Sequence, residues 1–176
     1  MFKDLAKYNQ ILVTGPQRSG TTIAAKVIVA DTGHKYIDEY DYKTSEVGFL
    51  RLLPRNNNVV IQCPAMFHCL PEIADKNTLV VMMMRNTDDI VASEERIHWW
   101  SSGAYRELKR LGIEGPEARR FRRQGSRVSE VKYQRWEKIK NKIPHFLELE
   151  YESLSKHPLW IPKEKRINFD KKQTEL

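Results

Sequence analysis

Residues Gly15-Pro16-Gln17-Arg18-Ser19-Gly20-Thr21-Thr22 have the composition of a phosphate cradle. Before them run four β-favouring residues, Ile11-Leu12-Val13-Thr14, and behind them an apolar segment from Ile23 to Ala30. A strand that ends in such a loop and reopens as a helix turns several backbone N–H groups towards one point. The helix dipole adds roughly half a positive charge there. The glycines have Walker A spacing, with Thr21 at the position of the Walker lysine. That departure points to a phosphate-bearing cofactor and away from ordinary ATP hydrolysis. A second candidate is Arg85-Asn86-Thr87-Asp88-Asp89-Ile90-Val91-Ala92-Ser93. An arginine closing a strand stands at the ligand edge of an open α/β sheet, and Ser93, about two turns into the next helix, can face the same crevice. For proton transfer the chain offers the acidic cluster Asp38-Glu39-Tyr40-Asp41 and an imidazole at His68. Each also has a plain reading, as an exposed loop acid or as a surface or core histidine.

These residues need a frame, and the hydrophobic pattern supplies one. Strand-like and helix-like runs alternate, which argues for an α/β fold: a three-layer, P-loop-like domain with a mostly parallel central sheet of about five strands. Strands are expected at 10–14, 34–37, 59–62, 78–84 and 146–151. The run Thr78 to Met84 is apolar throughout, as expected where both faces of a strand are covered. Helices are expected at 21–32, ending at Gly33, at 44–53, at 66–75 with an interruption near Pro71, and from a Thr87 cap to about Trp100. A long basic helix, Glu117 to Lys142, is expected to kink near Gly125 and to pack on the domain through Tyr133 and Trp136. It belongs to a helical insertion, about 101–142, before the last strand, of the kind that forms lids or substrate walls. Trp99 and Trp100 read as core packing or as a wall of the acceptor pocket.

The chain has 176 residues, which fits a single domain spanning 1–176 with a basic tail at about 163–176. The net charge is +7, which favours anionic partners. The basic run between Arg106 and Arg127 reads either as a solvated helix face or as an anion-facing surface. No apolar run reaches the roughly 18 to 20 residues needed to cross a membrane. With no signal-peptide pattern and only Cys63 and Cys69 as cysteines, a reducing cytoplasm is the expected compartment.

The loop from Gly15 to Thr22 resembles the 5′-phosphosulfate loop of sulfotransferases that use 3′-phosphoadenosine 5′-phosphosulfate (PAPS). Its Gly-Pro-Gln opening is similar to the heparan sulfate N-sulfotransferase branch. Arg85 and Ser93, eight positions apart, match that family's 3′-phosphate motif. Leu147-Glu148-Leu149-Glu150-Tyr151-Glu152-Ser153-Leu154 resembles its late strand and Tyr-Glu-Asp-Leu segment. The resemblance implies that Gly15, Gln17, Arg18, Ser19, Gly20, Thr21 and Thr22 hold the 5′-phosphate of the cofactor, with Arg85 and Ser93 on its 3′-phosphate. Arg18 would neutralise charge on the leaving PAP. Glu39 is the first choice for the general base, since Cys63 falls near the histidine position of the cytosolic branch and His68 is displaced from it. The implied reaction is in-line transfer of a sulfonate to a hydroxyl or amine of a small-molecule or carbohydrate acceptor, without a metal.

Three rival readings remain at this level. A P-loop kinase using ATP and Mg²⁺ has Thr21 and the absence of an evident Walker B aspartate against it. A nucleic-acid binder using the 106–127 arginines leaves the paired phosphate motifs unexplained. A protein that binds PAP without turnover is the third.

Overall fold

Strands that are apolar on both faces can be buried only between two further layers. A computed structural model, which describes residues 1–97, 103–118 and 128–161, shows that arrangement. The strands are β1 (Gln10–Thr14), β2 (Lys35–Ile37), β3 (Val59–Gln62), β4 (Thr78–Met84) and β5 (Phe146–Glu150). They form one sheet in the order β2-β3-β1-β4-β5, and every pairing is parallel. The helices are α1 (Thr21–Thr32), α2 (Glu46–Leu52), α3 (Leu70–Ile73), α4 (Thr87–Arg96), α5 (Gly103–Arg110) and α6 (Val128–Ile139). This is the expected three-layer, P-loop-like α/β architecture.

Alternation along the central strands sorts the core into two clusters, one on each face. Ile11, Val13, Val60, Leu79, Val81 and Met83 face α1, whose Ala24, Ala25, Val27 and Ile28 are fully buried. Leu12, Ile61, Val80 and Met82 face the other way and pack with Phe49, Phe67, Leu108, Val131 and Trp136. The second cluster therefore draws the insertion helices α5 and α6 onto the sheet. Because every strand runs the same way, all five C-terminal ends lie along one edge. Thr14, Ile37, Gln62, Met84 and Glu150 are the last residues there.

Several local details differ from expectation. Asn86, not Thr87, caps α4: its side-chain oxygen accepts from the Asp88 N–H at 2.8 Å, so the helix starts one residue earlier. Pro71 does not interrupt a helix. It sits in the first turn of α3, where its missing N–H does no harm, and Pro64–Cys69 is a 3₁₀ stretch before it. The segment after α2 also tightens, to a 3₁₀ turn at Leu53–Arg55 with Pro54 in it. The described part of the long basic helix is Val128–Ile139, followed by a 3₁₀ turn at Lys140–Lys142. Trp99, Trp100, Gly125, the basic residues 119–127 and the tail 163–176 lie outside the described residues.

Trp136 is the contact that seats α6. It is fully buried, meets the Phe146 ring edge-on at 5.5 Å between centroids, and donates its indole N–H to Glu148 at 2.7 Å. Trp136→Ala should lower stability by about 3–5 kcal/mol in urea titrations. A loss below about 1 kcal/mol would mean that α6 is not held by this side chain.

Candidate functional site

The loop between β1 and α1 is shaped by four carbonyl oxygens that turn towards named donors. The Gly15 carbonyl accepts from Lys132 Nζ at 3.2 Å. The Pro16 carbonyl accepts from the Ser19 N–H at 3.1 Å and the Ser19 hydroxyl at 2.7 Å. The Arg18 carbonyl accepts from Arg85 Nη1 at 2.7 Å, and the Gly20 carbonyl begins the helical ladder by accepting from the Ala24 N–H at 3.0 Å. With these oxygens held, the loop presents backbone N–H groups, and no side chain caps the N-terminus of α1. That is the arrangement an anion requires.

Gly20 has no substitute in this loop. Its φ is +98°, in the left-handed region, and a Cβ built on it would come within 2.4 Å of the Tyr151 ring. Tyr151 follows β5, so the last strand presses on the loop. The same ring lies under the Arg85 guanidinium, 4.2 Å from its centroid, and packs against Trp160. Arg18 also takes a positive φ, +66°.

The structure brings together the two candidate motifs seen in the sequence, and it does so at Arg18. Arg85 holds the Arg18 carbonyl, while Ser93 Oγ accepts from Arg18 Nε at 3.1 Å. Tyr133 of α6 fixes the end of β4: its hydroxyl accepts from the Arg85 N–H at 3.0 Å. Thr21 is buried, and its hydroxyl accepts from Gln62 Nε2 at 3.2 Å. Gln62 continues the chain of contacts, since its Oε1 accepts from the Tyr36 hydroxyl, which also donates to Asp38 at 2.7 Å. Position 21 is thereby tied to the ends of β3 and β2.

Two half-buried carboxyls border the loop. Desolvation raises the Glu39 pKa, with Asp38 adding to the effect and Lys132 and Arg110 opposing it. Desolvation also pushes the Glu94 carboxyl up to about 7, against the pull of Lys132 and Arg18. Sequence reasoning missed Glu94, although it adjoins Ser93 on α4. His68 instead meets Glu46 at the start of α2, at 3.2 Å. Cys63, at the end of β3, is buried, and desolvation holds its thiol well above the usual range.

Sequence reasoning also gave no role to the buried pair Lys132 and Glu107. Lys132 has no exposed surface and is ion-paired with Glu107, itself 1% exposed. Lys132 Nζ also donates to Gln17 Oε1 at 3.0 Å and the Pro64 carbonyl at 2.8 Å, besides Gly15. Gln17 Nε2 in turn donates to Glu107 at 3.1 Å. Arg110 reaches both Glu107, at 3.4 Å, and the Thr44 carbonyl, at 3.2 Å, so α5 docks on the segment after β2. Among the described residues no cluster of three acidic, histidine or cysteine side chains converges as a metal site. No described helix is long and apolar enough to cross a membrane. A cavity of about 340 Å³ opens at the opposite edge of the sheet, lined by Asn9, Asn57, Asp75 and Asn77.

No family model and no curated protein matches this chain. Among solved structures it is similar to a shikimate kinase from Acinetobacter baumannii in complex with shikimate, with 14% identity, 85% of this chain and 88% of that one covered, and a TM-score of 0.48. A shikimate kinase from Bacteroides thetaiotaomicron gives 16% identity, coverages of 80% and 85%, and a TM-score of 0.43. An uncharacterised protein from Eubacterium ventriosum gives 11% identity, coverages of 84% and 93%, and a TM-score of 0.39. The expected PAPS-dependent class is not met among these neighbours. The two with a named activity are kinases, not PAPS-dependent sulfotransferases, and what the sulfotransferase motifs share with this fold is the P-loop-like frame.

The raised Glu94 carboxyl has a consequence for stability. In the folded chain Glu94 favours its protonated form, so its contribution is complete below the ordinary value of 4.5 and is lost as pH rises through about 7. Glu94→Gln cannot ionise and escapes that loss. Urea midpoints of the variant and the wild type should diverge in the variant's favour from about pH 5 to about pH 8. A constant difference across that interval would show that Glu94 titrates as an ordinary carboxyl.

Proposed function

We propose that this chain is a P-loop phosphotransferase that moves the γ-phosphoryl group of ATP to a hydroxyl of a small-molecule acceptor. The observation that carries this reading is the loop itself. It joins the central strand to an uncapped helix, its carbonyls are held by Lys132, Arg85, Ser19 and Ala24, and the side chain of Arg18 lies beside it. The β- and γ-phosphates would rest on the N–H groups of Arg18, Gly20, Thr21 and Thr22, since the Ser19 N–H is engaged by the Pro16 carbonyl. Phosphoryl transfer asks the protein mainly for positioning and charge neutralisation, which is what backbone donors and arginines supply.

Glu39 is proposed as the base. It follows β2 on the ligand edge, is half-buried, and has a carboxyl raised by desolvation, which suits proton abstraction near neutral pH. It would take the acceptor's hydroxyl proton as that oxygen bonds to the γ-phosphorus. The bond from the γ-phosphorus to the bridging oxygen then breaks, and ADP leaves with its charge balanced by Arg18. Mg²⁺ would enter with the nucleotide, where it shields phosphate charge. Thr22 holds the loop position suited to it, while β3 ends in Gln62-Cys63 and brings no acid, so nucleotide oxygens and water would be its chief ligands.

Thermal shift and calorimetry with ADP, 5′-AMP and PAP test the reading. ADP should stabilise the protein more than 5′-AMP does, and Arg18→Ala should weaken ADP by about tenfold. Equal effects of ADP and 5′-AMP, or a stronger effect of PAP than of ADP, would overturn it. With radiolabelled ATP and a panel of small polyhydroxylated acceptors, single-turnover transfer by Glu39→Gln should fall by on the order of 10². A wild-type rate in that variant would remove Glu39 from the reaction.

A further inference from the structure

The loop lacks the lysine that its spacing reserves for position 21. Thr21 stands there, buried, with its hydroxyl engaged by Gln62. An ammonium group nevertheless reaches this loop, from a residue 117 positions after Gly15 in sequence. Lys132 comes from α6, in the insertion, and contacts Gly15, Gln17 and Pro64 while paired with Glu107. We propose that Lys132 is the positioning residue of the phosphate loop, a cation supplied by the insertion, and that Glu107 sets how much of its charge the loop's ligand feels. The inference rests on the reading of the loop as a phosphate cradle.

The geometry gives Lys132 two effects that a neutral side chain could not reproduce. First, it draws the Gly15 carbonyl and the Gln17 side-chain carbonyl towards itself, so neither oxygen opposes a phosphate at the mouth. Second, it places a full positive charge in a water-poor setting, where Coulomb attraction is weakly screened. That field reaches the carboxyls on both sides of the loop, since Lys132 opposes the upward shifts of Glu39 and Glu94.

The pairing with Glu107 makes the charge adjustable. An ammonium has three protons, yet four acceptors surround this one: Gly15, Gln17, Pro64 and Glu107. Gln17 closes the cluster by accepting from Lys132 through Oε1 and donating to Glu107 through Nε2. Its amide can point only one way, because reversal would aim N–H groups at the ammonium and the oxygen at the carboxylate. A buried ion pair is poor value as stability alone, since its desolvation offsets most of the attraction. Its place, joining the loop to both α5 and α6, is explained by what it does to the loop.

Variants at the two positions separate this role from a structural one, with ADP affinity by calorimetry and melting temperature as paired readouts. Lys132→Met should weaken ADP binding by about tenfold or more. Glu107→Gln leaves the ammonium uncompensated and should tighten ADP by about three- to tenfold, even as the melting temperature falls. The double variant Lys132→Met with Glu107→Gln removes the carboxylate that Lys132→Met leaves buried with only Arg110, at 3.4 Å, as its ionic partner among the described residues. It should recover melting temperature without recovering ADP affinity. If affinity instead follows melting temperature through all three variants, or Glu107→Gln weakens ADP, Lys132 is structural and the inference fails. If the wild type binds no ADP, the cradle reading fails first and takes this inference with it.

Discussion

A loop that is to hold an anion must keep its own carbonyl oxygens away from it, and the proposed cradle meets that constraint through contacts from the rest of the structure. Each element at the ligand edge contributes one piece. α6 sends Lys132 to Gly15, the end of β4 sends Arg85 to Arg18, and Ser19 folds back on Pro16 within the loop. Tyr151, after β5, presses on Gly20 and supports Arg85 from below, which makes the left-handed glycine obligatory. The loop is thus a product of the tertiary fold, not of its own eight residues.

The same arrangement pairs or hydrogen-bonds many of the charged side chains at this edge of the sheet. Lys132 and Glu107 neutralise one another inside the protein, and Arg110 ties Glu107 to the segment after β2. Ser93 accepts from Arg18, and Glu39 and Glu94 border the loop with carboxyls that resist ionisation. A bound phosphate would enter a site whose cations are already oriented by hydrogen bonds, so little reorganisation is needed on binding. The insertion takes part directly, because both α5 and α6 supply members of the buried cluster.

Much of this frame was legible in the residues. Runs such as Thr78 to Met84 have no polar alternation, and only a sheet covered on both faces leaves that pattern. The glycines and the strand before them placed the loop, and Arg85 with Ser93 did converge on it. Other features depend on contacts that no local pattern reports. Lys132 sits in a segment rich in charged residues, where one buried lysine looks like its exposed neighbours, and Glu107 lies in the basic run. Asn86 displaced Thr87 as the cap because either residue type serves in that role. The expected sulfotransferase class rested on signals of the same limited kind. Glycine spacing, a loop arginine and a strand-end arginine describe how phosphate is held, and that requirement is common to chemistries that differ in what is transferred.

The central claim is that the backbone N–H groups of Arg18, Gly20, Thr21 and Thr22 meet the phosphates of a nucleotide at the C-terminal edge of the sheet. It is tested most directly by titrating ¹⁵N-labelled protein with ADP and following the amide resonances. The account predicts that the largest shifts fall on Arg18, Gly20, Thr21 and Thr22. Largest shifts at Asn9, Asn57 and Asn77, around the cavity on the opposite edge, would contradict it, as would a spectrum that ADP leaves unchanged.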